Sequence, residues 1–177
     1  MVPDTPKPRH TDAIAVLTWR KQDTWGRHYA LCLPDDSVLI TYREAGLARN
    51  RINIETPAGT WTVRIRGLWR YRYVVYNETG TEVAYLRFRL LSPARPAVIE
   101  PLGEAPIELS RPTLWRSYRL LATGARGELY ELRYRINWRR LAPEYLLELL
   151  PGSQGEPKTL LYAALGFAVV RRSMRRK

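Results

Sequence analysis

A hairpin that recurs within the chain constrains its fold more than any other feature. Residues 68–89, LWRYRYVVYNETGTEVAYLRFR, return 46 residues later as LWRSYRLLATGARGELYELRYR at 114–135, with 7 of 22 positions identical and no gap. Each copy reads as strand, turn, strand: an alternation of aromatic and basic residues, then a polar turn (Asn77 to Gly80, or Thr123 to Gly127), then a second alternating run. A weaker third copy spans Trp25 to Arg43, where Trp25 and Tyr29 keep the spacing of Trp69 and Tyr73, and Pro34-Asp35-Asp36-Ser37 supplies the turn. Ile52 to Glu55, Trp61 to Arg66, Ala97 to Glu100 and Ile107 to Leu109 read as further short strands punctuated by Pro and Gly. Many short strands at regular spacing predict an antiparallel sandwich or barrel.

The 177 residues amount to about one domain and can bury a substantial core. A hydrophobic content of 45%, with six Trp, excludes a chain that is disordered throughout. Met1 to Thr11, polar and carrying Pro3, Pro6 and Pro8, reads as a flexible lead-in without the apolar stretch of a secretory signal. One cysteine, Cys32, allows no intrachain disulfide and fits a reducing, cytoplasmic setting; its place in an apolar run predicts a buried strand position.

Formal charge is +12, and 25 of the 29 basic residues are Arg, whose guanidinium clamps phosphate in bidentate fashion and stacks on aromatic rings. Alternation assigns the charges to a face, because successive strand side chains point to opposite sides. Trp69, Tyr71, Tyr73 and Val75 share one face, with Arg70 and Arg72 on the other. Ala84, Leu86, Phe88 and Leu90 oppose Val83, Tyr85, Arg87 and Arg89, while Trp61, Val63 and Ile65 oppose Arg64 and Arg66. Neighbouring strands of this kind would gather Arg64, Arg66, Arg70, Arg72, Arg87 and Arg89 on one outer surface, and the second copy offers Arg116, Arg133 and Arg135 at equivalent positions. Glu78 and Glu82 are the carboxylates within the first copy, so positive charge is expected to remain there for anionic partners. Charged residues are also the ordinary occupants of a solvated sheet face.

The C-terminal run TLLYAALGFAVV, Thr159 to Val170, precedes RRSMRRK. Its uncharged core of 11 residues, Leu160 to Val170, covers about 16 Å as helix. A membrane crossing needs about 20 residues, so length argues against a tail anchor. A helix apolar on all sides must then be enclosed, as by a barrel. Arg171 and Arg172 suit a helix C-terminus, where cations meet the macrodipole, and a basic end beside an apolar segment also suits an anionic membrane surface.

Hooks for catalysis are few. Two histidines, His10 and His28, and one cysteine match no zinc spacing. Gly-x-Ser-x-Gly, the P-loop and the dinucleotide fingerprint do not occur, and no cofactor is implied. Asp35 and Asp36 read as turn residues.

The hairpin pattern, carried by Trp69, Arg70, Tyr73, Glu82, Val83 and Ala84 and followed by an apolar helix and a basic end, resembles the tubby C-terminal-like superfamily, which includes LURP-one-related proteins and phospholipid scramblases. The resemblance covers Asp12 to Lys177. It implies a closed antiparallel β-barrel of about twelve strands around a hydrophobic C-terminal helix at about residues 159–172, forming one domain over 12–177. It also implies a binding protein that meets anionic membrane lipid head groups, phosphoinositides among them. No acidic calcium-binding segment, palmitoylation-type Cys cluster or tubby end signature accompanies it. The expectation is thus a cytoplasmic, non-enzymatic protein with a place at the inner membrane surface. Arg64, Arg66, Arg70, Arg72, Arg87, Arg89, Arg116, Arg133, Arg135, Arg171 and Arg172 are its candidate contacts. The alternatives are a nucleic-acid or ribonucleoprotein accessory that uses the same arginines on phosphates, and an enzyme built from dispersed carboxylates.

Overall fold

A computed structural model of the protein describes residues 15–46, 50–66, 72–89, 92–111, 118–137, 142–154 and 158–174. The lead-in Met1 to Thr11, and Trp69, Arg70, Tyr71, Leu90 and Arg116, lie outside the described residues.

Twelve antiparallel strands, each paired with its neighbours in sequence, close into a barrel. They are β1 (Ala15–Lys21), β2 (His28–Cys32), β3 (Val38–Ala45), β4 (Arg51–Thr56), β5 (Gly59–Arg66), β6 (Arg72–Asn77), β7 (Glu82–Phe88), β8 (Ala97–Pro101), β9 (Ile107–Ser110), β10 (Tyr118–Gly124), β11 (Gly127–Asn137) and β12 (Ala142–Leu149). The expected hairpins appear as β2–β3, β6–β7 and β10–β11, and the four intervening short strands as β4, β5, β8 and β9. Trp25 is an exception: the third hairpin begins at His28, and Trp25 sits in the preceding turn.

Closure rests on β1 and β12, which pair with each other and set Leu17 against Leu147 and Trp19 against Tyr145 inside the barrel. Joining the first and last strands leaves no open sheet edge.

The inner faces follow the alternation of the sequence. Ile52 and Ile54, Trp61 and Val63, Tyr73 and Val75, Ala84 and Leu86 are all buried. A barrel wider than about eight strands cannot be filled by its own side chains. Here α1 (Thr159–Met174) fills it, and every residue from Leu161 to Val170 is buried, with Leu160 packed against the same core. Phe167 is the hub: its ring stacks on Trp19 at 4.1 Å and meets Tyr29, Tyr42 and Tyr145 edge-on at 5.1 to 5.2 Å. Gly166 lets α1 approach β11 closely, since a Cβ there would overlap the Tyr130 hydroxyl and stand 3.1 Å from two of its ring carbons. That hydroxyl donates 2.7 Å to the carbonyl of Tyr162, and burial drives its ionisation far above the ordinary phenol range. No helix among the described residues is long and apolar enough to cross a membrane.

Candidate functional site

An antiparallel barrel has two ends, and here they differ in charge. The turns β1–β2, β3–β4 and β7–β8 lie at the end where α1 finishes, as contacts from Arg171 to Gly26 and from Arg172 to Tyr73 and Phe88 show. The turns β2–β3, β6–β7 and β8–β9 lie at the other end, where α1 begins and Lys158 meets Glu104 at 2.5 Å. Arg27, Arg43, Arg51, Arg64, Arg66, Arg72, Arg87 and Arg89 stand in or beside the first end, with Asp23, Glu44 and Glu144 among them; Asp35, Asp36, Glu78, Glu82 and Glu104 stand in or beside the second, with Arg126 and Lys158. The arginines arise from strand ends of opposite direction: an odd-numbered strand contributes at its finish (Arg43, Arg64, Arg66, Arg87) and an even-numbered one at its start (Arg51, Arg72).

Two adjoining grooves mark the basic end on the β3–β5 side. One, of about 480 Å³, is lined by Gly46, Asn50, Arg51, Arg64, Ile65 and Arg66. The other, of about 410 Å³, shares Gly46 and Arg51 with it and adds Arg27, His28, Arg43, Asn53, Asp23 and Glu44. Arg51 and Arg64 are directly opposite in the β4–β5 register, an arrangement of like charges that costs stability. No carboxylate makes an ion pair with either among the described residues. The comparable pair across β10–β11, Arg119 opposite Arg133, is bridged by Glu131, which binds both guanidinium groups. Burial works to raise the Glu131 carboxyl, and the hydrogen bonds from Arg119 and Arg133 outweigh it, so the group is held below the usual carboxylate value.

The expected arginines therefore divide. Arg64 and Arg66 line the groove, and both guanidinium groups approach the outward ring of Tyr76, at 5.4 and 5.8 Å. Arg66 also reaches Glu82 at 3.4 Å. Arg72 stacks over Tyr85 at 3.8 Å, and the Tyr76 and Tyr85 hydroxyls both donate to Glu82. Arg87 pairs with Glu100 and Arg89 with Glu108, carboxylates of β8 and β9 that a count confined to the hairpin overlooks. Arg133 binds Glu131 and Glu148, and Arg135 binds Glu144, on the far side of the barrel from the groove. Arg171 lies over the Tyr29 ring at 4.7 Å. Arg172 joins Arg89 and Arg111 around a smaller pocket of about 200 Å³ where α1 leaves the barrel. Arg70 and Arg116 are outside the described residues.

Four basic groups of these pockets escape the sequence reading: Arg27, Arg43, Arg51 and Arg111. Arg43 and Arg51 flank predicted strands, so their residue types were visible, but the ring they complete needs the β3–β4 pairing.

Other chemistries find little footing. Among the described residues no three of His, Cys, Asp and Glu converge as a metal site. Cys32 is buried, and burial raises its thiol. Asp35 accepts hydrogen bonds from both the backbone and the hydroxyl of Ser37, and Asp36 pairs with Arg20 at 2.6 Å, as turn residues do.

In comparisons with known proteins, no family model, no curated protein and no solved structure matches the chain. The site is read from its own geometry. Exposed guanidinium groups around a shallow groove bind phosphate or carboxylate oxygens through charge and paired N–H donors.

Proposed function

We propose that the protein is a non-enzymatic, peripheral binding protein that meets anionic membrane lipid head groups end-on, through the basic rim of its barrel. One observation carries the reading: Arg51 and Arg64 face each other across β4 and β5 with no ion-paired carboxylate among the described residues, at the junction of two open grooves. A fold that bridges the equivalent like-charge pair elsewhere with Glu131 leaves this one open to an external anion. A flat lipid surface suits cations gathered at one end of a cylinder, because those without a carboxylate partner can meet it together, each contributing about 1 kcal/mol of attraction.

The architecture supports the reading too. Twelve antiparallel strands closed around an apolar helix are what the resemblance to the tubby-like superfamily implies, and anionic lipid head groups are the ligands that resemblance suggests. Nucleic acid, whose single strands are held by aromatic stacking, finds the outward tyrosines beside the groove taken, since Tyr76 and Tyr85 are engaged by arginines and by Glu82.

The test is flotation of the full chain with neutral and anionic vesicles from low to high salt, with DNA as competitor. The expected result is binding that needs anionic lipid, weakens with salt and drops sharply in the variant Arg51→Glu with Arg64→Glu. Failure to float on anionic vesicles at low salt overturns the reading, and equal displacement by DNA with no head-group preference favours a nucleic-acid partner.

A further inference from the structure

The most exposed large apolar side chain among the described residues stands at the basic end. Trp25 is 80% exposed, whereas Trp19 and Trp61 are 2% and 8% exposed. Leaving an indole in water forgoes the largest apolar burial any residue offers. We propose that the β1–β2 turn is an interfacial membrane anchor whose inserting side chain is Trp25; this inference rests on the lipid reading above and gives it an orientation.

The turn is built rather than loose. The Asp23 carboxylate accepts hydrogen bonds from the backbone N–H of Arg27 at 2.9 Å and of His28 at 3.1 Å. The N–H of Gln22 closes on the carbonyl of His28 at 2.9 Å, and Lys21 Nζ donates 2.7 Å to the carbonyl of Thr24. Gly26 takes a left-handed φ of 62°, and its carbonyl accepts 2.9 Å from Arg171, so the turn is tied to the central helix. An anchor already held in place loses little entropy when it inserts.

Position and chemistry agree with that role. Asp23 and Arg27, which frame the turn, also line the groove containing Arg43 and Arg51, so a surface that meets those arginines meets Trp25 in the same approach. Arg27, two residues after Trp25, is exposed, and a long cationic side chain there can reach phosphates while the ring sits among the glycerol and upper acyl groups. Indole prefers that interfacial depth to both water and hydrocarbon. Ile136, 44% exposed near the finish of β11, stands at the same end of the barrel.

The experiment compares the full chain with Trp25→Ala and Trp25→Phe on phosphatidylcholine vesicles with and without phosphatidylserine, using flotation and quenching of Trp fluorescence by brominated acyl chains. Trp25→Ala is expected to weaken partitioning about tenfold at every salt concentration, leaving the salt dependence as in the wild type. Trp25→Phe is expected to retain most of the binding, and bromolipid quenching to be strong in the wild type and largely lost in both variants. With the indole exposed, thermal unfolding should be unchanged, which separates a binding effect from a folding one. A wild type that floats, with Trp25→Ala floating equally well or with no quenching, overturns the anchor alone; that result would turn attention to a protein partner for Trp25. A wild type that fails to float overturns the lipid reading and the anchor with it.

Discussion

Replacing Phe167 by Ala should cost this barrel much of its stability. The ring lies at the centre of the core, fully buried, with Trp19 stacked on it at 4.1 Å and Tyr29, Tyr42 and Tyr145 edge-on around it. Truncating a buried Phe costs about 3–5 kcal/mol from lost transfer energy and the cavity left behind. Four aromatic contacts, each about 0.5–1.5 kcal/mol beyond area, push the value toward the upper end without adding in full, because the four partners can repack on one another. About 5 kcal/mol is therefore expected, against total stabilities of about 5–15 kcal/mol for a domain. The assay is urea denaturation followed by near-ultraviolet circular dichroism, which reports the packed Trp19 and tyrosines. The midpoint should fall steeply with the slope unchanged, and Phe167→Leu should lose roughly half as much. A loss below about 1.5 kcal/mol with an intact near-ultraviolet signal would refute the reasoning, since it would mean that the helix is not the element that fills the barrel.

Two further outcomes follow from the same packing. Gly166→Ala should destabilise by about 2 kcal/mol through overpacking against Tyr130, and adding Tyr130→Phe, which removes the hydroxyl the new methyl meets first, should recover part of that loss; a double-mutant cycle in urea measures the coupling, and purely additive losses would contradict the contact. Acid should weaken the fold through Glu131: its folded carboxyl is held below the unfolded value of about 4.3, so its contribution is complete above that pH and is lost as pH falls through the folded value. Urea midpoints measured from pH 7 downward should stay flat to about pH 5 and then decline. Glu131→Gln should show a lower plateau, by about 2 kcal/mol, and a shallower decline.

The alternation of Trp61-Thr62-Val63-Arg64-Ile65-Arg66 stated its two faces in advance, and so did the hairpins at β6–β7 and β10–β11, because a period of two is a local property that neighbours in sequence display unaided. The all-apolar helix likewise announced that it needed an enclosure. Local pattern was weaker at β12, where Leu146 faces outward between Tyr145 and Leu147 and blurs the alternation of EYLLELL. It misled at Trp25, whose spacing to Tyr29 matches the strand repeat although the residue caps a turn.

The sequence by itself displayed ten of the twelve strands, with β1 and β12 missing, together with their inward faces, the buried helix and a surplus of arginine. The tertiary structure decided which arginines remain uncompensated. Glu100, Glu108, Glu131, Glu144 and Glu148 each pair with an arginine, and every one of those pairs except Arg133 with Glu131 joins positions at least nine residues apart in sequence. Arg51 and Arg64, 13 residues apart, meet only because β4 and β5 pair in one particular register. Charge is additive along a chain and so can be counted from it; neutralisation depends on distance, and distance between strands is set by closure of the barrel.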